Sequence, residues 1–163
     1  MADPRRLELS DEDTIRQIWE LQRVAYAVEA ELIGYGGIPP LHESWGELRA
    51  CGESFLGVYG EAGLTGAVSW IRPDGATLDI CRLMVHPRAH RSGIATSLLD
   101  GLDALEPAER TVVSTGTVNA PALTLYRKRG FVPTGRQQIA PGITVTLLAR
   151  HTQPPAEQLI HLP

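Results

Sequence analysis

Residues 78–102, LDICRLMVHPRAHRSGIATSLLDGL, constrain the fold of this chain more than any other stretch. An apolar strand runs into a short basic turn containing a glycine, and the turn opens directly into a helix. Ile94, Leu98, Leu102 and Leu105 carry the helical spacing, and Glu106 and Pro107 stop it before a further strand over residues 110–115. A strand, helix and strand in that order imply parallel pairing, and therefore an α/β fold. Backbone amides from about His90 to Ala95 converge at the helix start, where the macrodipole favours negative charge. Gly93 and Ala95 leave room there for a close ligand such as a pyrophosphate. Taken alone, the same residues also describe a plain strand-to-helix turn.

The rest of the chain fits around this unit. The spacing predicts a first strand over residues 6–9, then a long helix whose start is capped by Ser10 with Asp13. Ile18, Leu21, Ala25, Val28 and Leu32 form one apolar stripe along that helix, predicted to face the core. Glycines 34, 36 and 37 with Pro39 and Pro40 break the regularity, and residues 43–50 form a short second helix opened by His42 or Ser44. Residues 54–71 read as a β-hairpin split at residues 61–63, and residues 76–85 as the next strand. A helix over residues 119–129 ends at Gly130, and strands over 131–139 and 143–149 flank the Pro141-Gly142 turn. The domain is predicted to span residues 1–150. Residues 151–163, with two adjacent prolines, are read as a tail that cannot form its own core.

The chain has 163 residues, 43% of them hydrophobic and 21% charged, enough for one compact domain. Its formal net charge of −4 offers no basic footprint for nucleic acid. No apolar run approaches the roughly 20 residues of a membrane span. Two cysteines without CxxC spacing and a charged beginning point to a reduced, cytoplasmic protein. His86 and His90 are four apart, but Pro87 lies between them and no further ligand cluster is near, so no metal site is expected. Cys81 reads as a small strand residue rather than a nucleophile.

A second motif lies about 25 residues after the basic turn: VNAPALTLYRKRGF, residues 118–131. Together the two segments resemble the GCN5-related N-acetyltransferase (GNAT) superfamily. Its nucleotide loop is Q/R-x-x-G-x-G/A, and a later helix often carries N-x-x-A-x-x-L-Y-x-x-x-G-F. Residues 90–95 match the first pattern except that His90 stands where arginine or glutamine is usual. Asn119, Ala122, Leu125, Tyr126, Gly130 and Phe131 match the second at every position.

The resemblance implies a single GNAT-type domain, a mixed central sheet of six to seven strands flanked by about four helices. It also implies acetyl-CoA as cosubstrate, a primary amine of a small molecule or a peptide as acceptor, and no metal. Coenzyme contacts would come from Met84 and Val85 on a splayed strand, from His90, Arg91, Ser92, Gly93, Ile94, Ala95 and Thr96 around the turn, and from Asn119. Asn119 is equally read as a helix N-cap. Tyr126 falls at the family's acid position, with a covering aromatic as the structural alternative. Asp79 falls where histone-modifying members place a catalytic glutamate, although an acid on a strand is also what a paired surface group looks like. An acceptor pocket would draw on Glu29, Tyr35, Glu43 and Trp45. The alternative reading is an acyl-CoA-binding sensor without turnover, a possibility sharpened by His90. Pairing through the late strands or the tail would make a homodimer.

Overall fold

A computed structural model describes residues 3–152, so the reading of the tail beyond Thr152 lies outside the described residues. The strands are β1 (Arg5–Leu7), β2 (Ser54–Gly60), β3 (Gly63–Asp74), β4 (Thr77–Val85), β5 (Arg110–Gly116), β6 (Val132–Ala140) and β7 (Ile143–His151). The helices are α1 (Glu12–Ile33), α2 (Trp45–Arg49), α3 (Ile94–Leu105) and α4 (Ala120–Lys128). One seven-stranded sheet runs β1-β2-β3-β4-β5-β7-β6. Every neighbouring pair is antiparallel except β4 and β5, which are parallel across α3 as the strand–helix–strand unit requires. This is a single mixed α/β domain with four helices, as the sequence predicts. Among the described residues no helix is long and apolar enough to cross a membrane.

The sheet separates two apolar clusters. On one face Leu98, Leu99 and Leu102 of α3 pack with Tyr126, Phe131, Leu78, Ile80 and Trp70. On the other, Ile15, Ile18 and Leu21 of α1 pack with Leu48, Phe55, Ala67 and Met84. Both faces of the sheet are thus covered, as a layered α/β core demands.

Several boundaries differ from the sequence expectation, each for a local reason. The α1 cap is Asp11 rather than Ser10 with Asp13: the Thr14 amide donates to Asp11 Oδ2 at 3.1 Å, leaving Asp13 in the first turn to favour the dipole. The apolar stripe holds only at its start. Ile18 and Leu21 are buried, but burial then passes to Gln22, Tyr26 and Ala30, while Val28 and Leu32 are exposed. The second half of α1 thereby turns Val28 and Leu32 away from the core and onto a cleft, while Ala25 packs against the core and also borders that cleft. Ser44, not His42, opens α2 through a reciprocal capping box with Glu47, and α2 begins at Trp45. Helix α3 begins at Ile94 because Gly93 takes the left-handed conformation (φ 81°) as its N-cap, and Leu105, read as part of the helical spacing, is exposed.

Two irregularities of β4 position everything that follows. Ser69 pairs with Arg82 but Trp70 pairs with Ile80, leaving Cys81 as the extra residue of a bulge. The bulge shifts the alternation of the strand: Leu78 and Ile80 join the α3 cluster, whereas Met84 joins the α1 cluster and Arg82 reaches Gln22 of α1. The second irregularity is a splay. β4 pairs with β5 only over Thr77–Asp79, opposite Arg110–Val112. β4 stays paired with β3 as far as Val85, and β5 with β7 as far as Gly116, so the two central strands diverge into a V.

Candidate active site

A cleft of about 720 Å³ occupies the mouth of the V. One wall is Leu83, Met84 and Val85 of β4, whose ladder toward β5 has ended, so their backbone on that side is free to pair with a bound chain. Its floor is the turn into α3: His90, Arg91, Gly93, Ile94, Ala95 and Thr96 all line it. Arg91 (φ 64°) and Gly93 both adopt left-handed backbone, and α3 has no side-chain cap. The first-turn amides are therefore left for a ligand, with Arg91 and Lys128 supplying positive charge at the rim. These features fit an extended amide-bearing arm joined to a pyrophosphate. Ser92 does not line the cleft; its hydroxyl donates to the Ala89 carbonyl and holds the turn.

Helix α4 forms the opposite wall with Asn119, Ala122, Leu125 and Lys128. Asn119 is the N-cap, its Oδ1 accepting from the Ala122 amide at 3.3 Å. Its Nδ2 is also committed: it donates to Glu29 Oε1 at 3.0 Å and to Thr115 Oγ1 at 3.3 Å. The capping role read from the sequence is therefore present, and the same side chain ties α4 to α1 across the cleft.

Tyr126 lies just behind this wall, 4% exposed, its ring edge-on to Phe131 at 5.5 Å between centroids. Burial and the nearby Glu29 charge push its phenol upward, which keeps it protonated at neutral pH. Tyr26 of α1, which the sequence reading did not single out, lines the cleft; burial and then Glu29 also push it up. Its signal was available: Tyr26 and Glu29 are three apart on one helix and share a face.

Of the four acceptor-pocket residues, only Glu29 lines the cleft. Burial raises its carboxyl above the ordinary range, and the hydrogen bond from Asn119 opposes that rise. Glu43 belongs elsewhere. It accepts from Arg82 Nη1 at 2.6 Å and Nη2 at 3.0 Å, and from Gln22 Nε2 at 3.0 Å. Glu53 grips the other side of the same guanidinium, at 2.8 Å from Nε and 3.0 Å from Nη2. Trp45 packs against Trp19 at 6.0 Å, and Tyr35 is half-buried over Gly37.

Asp79 sits on the last rung of the β4–β5 ladder, at the apex of the V, and is not among the residues lining the cleft. Burial and then the Glu53 charge push its carboxyl up. Cys81, on the bulge, has its thiol pushed up to about 12 by burial, Glu53 and Asp79, which suppresses the nucleophilic thiolate. Among the described residues no three His, Cys, Asp or Glu side chains come together as metal ligands.

A β4–β5 splay that opens on an uncapped helix N-terminus defines a class of acyltransferase folds, and comparison with known proteins agrees. Residues 42–149 match the family model described as the acetyltransferase (GNAT) domain. The chain therefore belongs to the GNAT acetyltransferase family. It is 34% identical over 147 residues to the UPF0157 protein YqkA of Bacillus subtilis, covering 90% of this chain but only 43% of that protein's length. Among solved structures, the ribosomal-protein-S18-alanine N-acetyltransferase of Escherichia coli superimposes with a TM-score of 0.77, covering 100% of this chain and 99% of the other at 14% identity. The PaiA N-acetyltransferase of Thermoplasma acidophilum, solved in complex with coenzyme A, has a TM-score of 0.68, covering 93% and 99% at 15% identity.

Proposed function

We propose that this protein transfers the acetyl group of acetyl-CoA directly to a primary amine, carried by a small molecule or a peptide. The observation that carries the reading is the V between β4 and β5, open along Leu83–Val85 and floored by the uncapped start of α3. Membership of the acetyltransferase family supports it, as does the coenzyme A held by the related PaiA fold. In this reading Met84 and Val85 bind the pantetheine arm. The amides of residues 93–96, with Arg91 beside them, bind the pyrophosphate, and His90 fills the position usually held by arginine or glutamine.

Bound acetyl-CoA supplies an activated thioester. The protein must then present a neutral amine, stabilise the oxyanion and protonate the leaving thiolate. Tyr126 is the acid: burial holds its proton until a thiolate forms beside it. Asp79, the base nominated by motif spacing, sits at the apex of the V and would act on the amine directly or through water.

Calorimetric titration with acetyl-CoA tests the cleft, and a Tyr126→Phe variant tests the acid. The variant is expected to bind acetyl-CoA like the parent while its turnover falls about 10²–10⁴-fold. Loss of binding in that variant would return Tyr126 to a purely structural role. Failure of the parent to bind acetyl-CoA would overturn the whole reading.

A further inference from the structure

Resting on the acetyl-transfer reading, we propose that Glu29, not Asp79, is the general base that takes the proton from the acceptor's ammonium group, and that Asn119 is the residue that positions it. Glu29 is the one acidic side chain among the described residues that line the cleft. It projects from α1 and reaches the N-terminus of α4, the helix that carries Tyr126. One of its carboxylate oxygens is fixed by Asn119 Nδ2 at 3.0 Å. Asn119 is itself locked as the α4 cap and by its contact with Thr115, so it cannot swing away freely. The second carboxylate oxygen has no hydrogen-bond partner among the described residues, which leaves it available to an incoming N–H donor.

Among the described residues, the titratable groups that line the cleft with Glu29 are Tyr26 on its own helix, Lys128 on α4, and His90 and Arg91 on the turn, while Tyr126 lies buried behind the α4 wall. Neither phenol takes up a proton at neutral pH, and Arg91 and Lys128 are donors with no acceptor for one. His90 belongs to the turn that floors the phosphate-binding end. Burial raises the Glu29 carboxyl toward the operating pH, the direction that improves a base.

The proton balance closes on these residues. An acceptor arriving as an ammonium gives its first proton to Glu29, which returns it to solvent. The nitrogen–carbon bond then forms as the carbon–sulfur bond breaks, and nitrogen loses its second proton. That proton replaces the one Tyr126 gives to sulfur. The products are one amide, one thiol and one released proton.

Acceptors that differ in whether they need deprotonation separate this role from a structural one. A primary alkylamine is an ammonium at neutral pH, with a pKa of about 10, whereas hydroxylamine is already neutral there. With acetyl-CoA as donor, Glu29→Gln is expected to lose about 10²-fold or more of kcat/KM toward the alkylamine and to keep its rate toward hydroxylamine. Glutamine still accepts the Asn119 hydrogen bond, so calorimetric acetyl-CoA affinity should not change. Glu29→Asp, which keeps a carboxylate, should restore part of the alkylamine rate. Equal losses toward both acceptors, or a selective alkylamine loss in Asp79→Asn instead, would overturn the assignment while leaving acetyl transfer intact. A parent protein that binds acetyl-CoA but acetylates neither acceptor would overturn both.

Discussion

Arg82 and Glu29 are the two side chains whose environments say most, and their chemistry predicts opposite responses to pH. The Arg82 guanidinium is 6% exposed and divided between Glu43 and Glu53. Burial pushes the Glu43 carboxyl up, but the hydrogen bonds from Arg82 and Gln22 outweigh it and the net direction is down. A carboxyl lowered in the folded state adds stability that is complete above its unfolded value and drains away as pH falls through the folded one. Arg82→Ala should therefore cost about 3–5 kcal/mol in denaturant melts at neutral pH, because it strands two carboxylates. The loss should shrink in acid, where the Glu43 carboxyl protonates. Glu29 is raised, so its contribution is present below the unfolded value and lost as pH rises through the folded one. At pH 7 to 8 the fold bears a carboxylate that water would hold better, and Glu29→Gln should raise Tm there while lowering kcat/KM toward an alkylamine. Neither environment was legible in sequence. The sequence puts Glu29 in the acceptor pocket but does not show its bond to Asn119, and it does not single out Arg82, because nothing local reports what lies 60 or 90 residues away along the chain.

Among the elements, the turn into α3 was the most legible, because a strand, a basic glycine turn and a helix are all short-range patterns. Its detail rests on Gly93. At φ 81° any side chain there is strained by about 1–2 kcal/mol. Gly93→Ala is thus expected to lower stability by that amount in thermal melts, and to weaken acetyl-CoA binding in calorimetry because the substituted residue lines the cleft. A variant with unchanged affinity would separate the turn from the coenzyme. α1 was legible in extent but not in phase. Its apolar stripe holds through Leu21, and then Gln22 turns inward to Arg82 while Val28 and Leu32 turn toward the cleft. Functional surface and core surface use the same residue types, and period alone cannot distinguish them. The bulge at Cys81 was invisible for a related reason: one extra residue in a strand changes which side chains share a face without changing the composition.

For the whole molecule, the α/β class, the parallel β4–β5 pair and the helix order follow from patterns spread along the chain. The placement of β7 between β5 and β6 does not, since strand order depends on pairing across distant segments. What the assembled fold adds is convergence. The splay of β4 from β5, the uncapped α3 start and Glu29 on α1 all meet at one cleft of about 720 Å³, with Tyr126 of α4 buried just behind its wall. Acceptor-dependent release of the coenzyme A thiol from acetyl-CoA, followed across a panel of primary amines, tests that convergence most directly. Thiol released in step with amide formation, and only when an amine is present, is the predicted result. Tight acetyl-CoA binding with no amine-dependent thiol release would contradict it and make the cleft a sensor of the coenzyme.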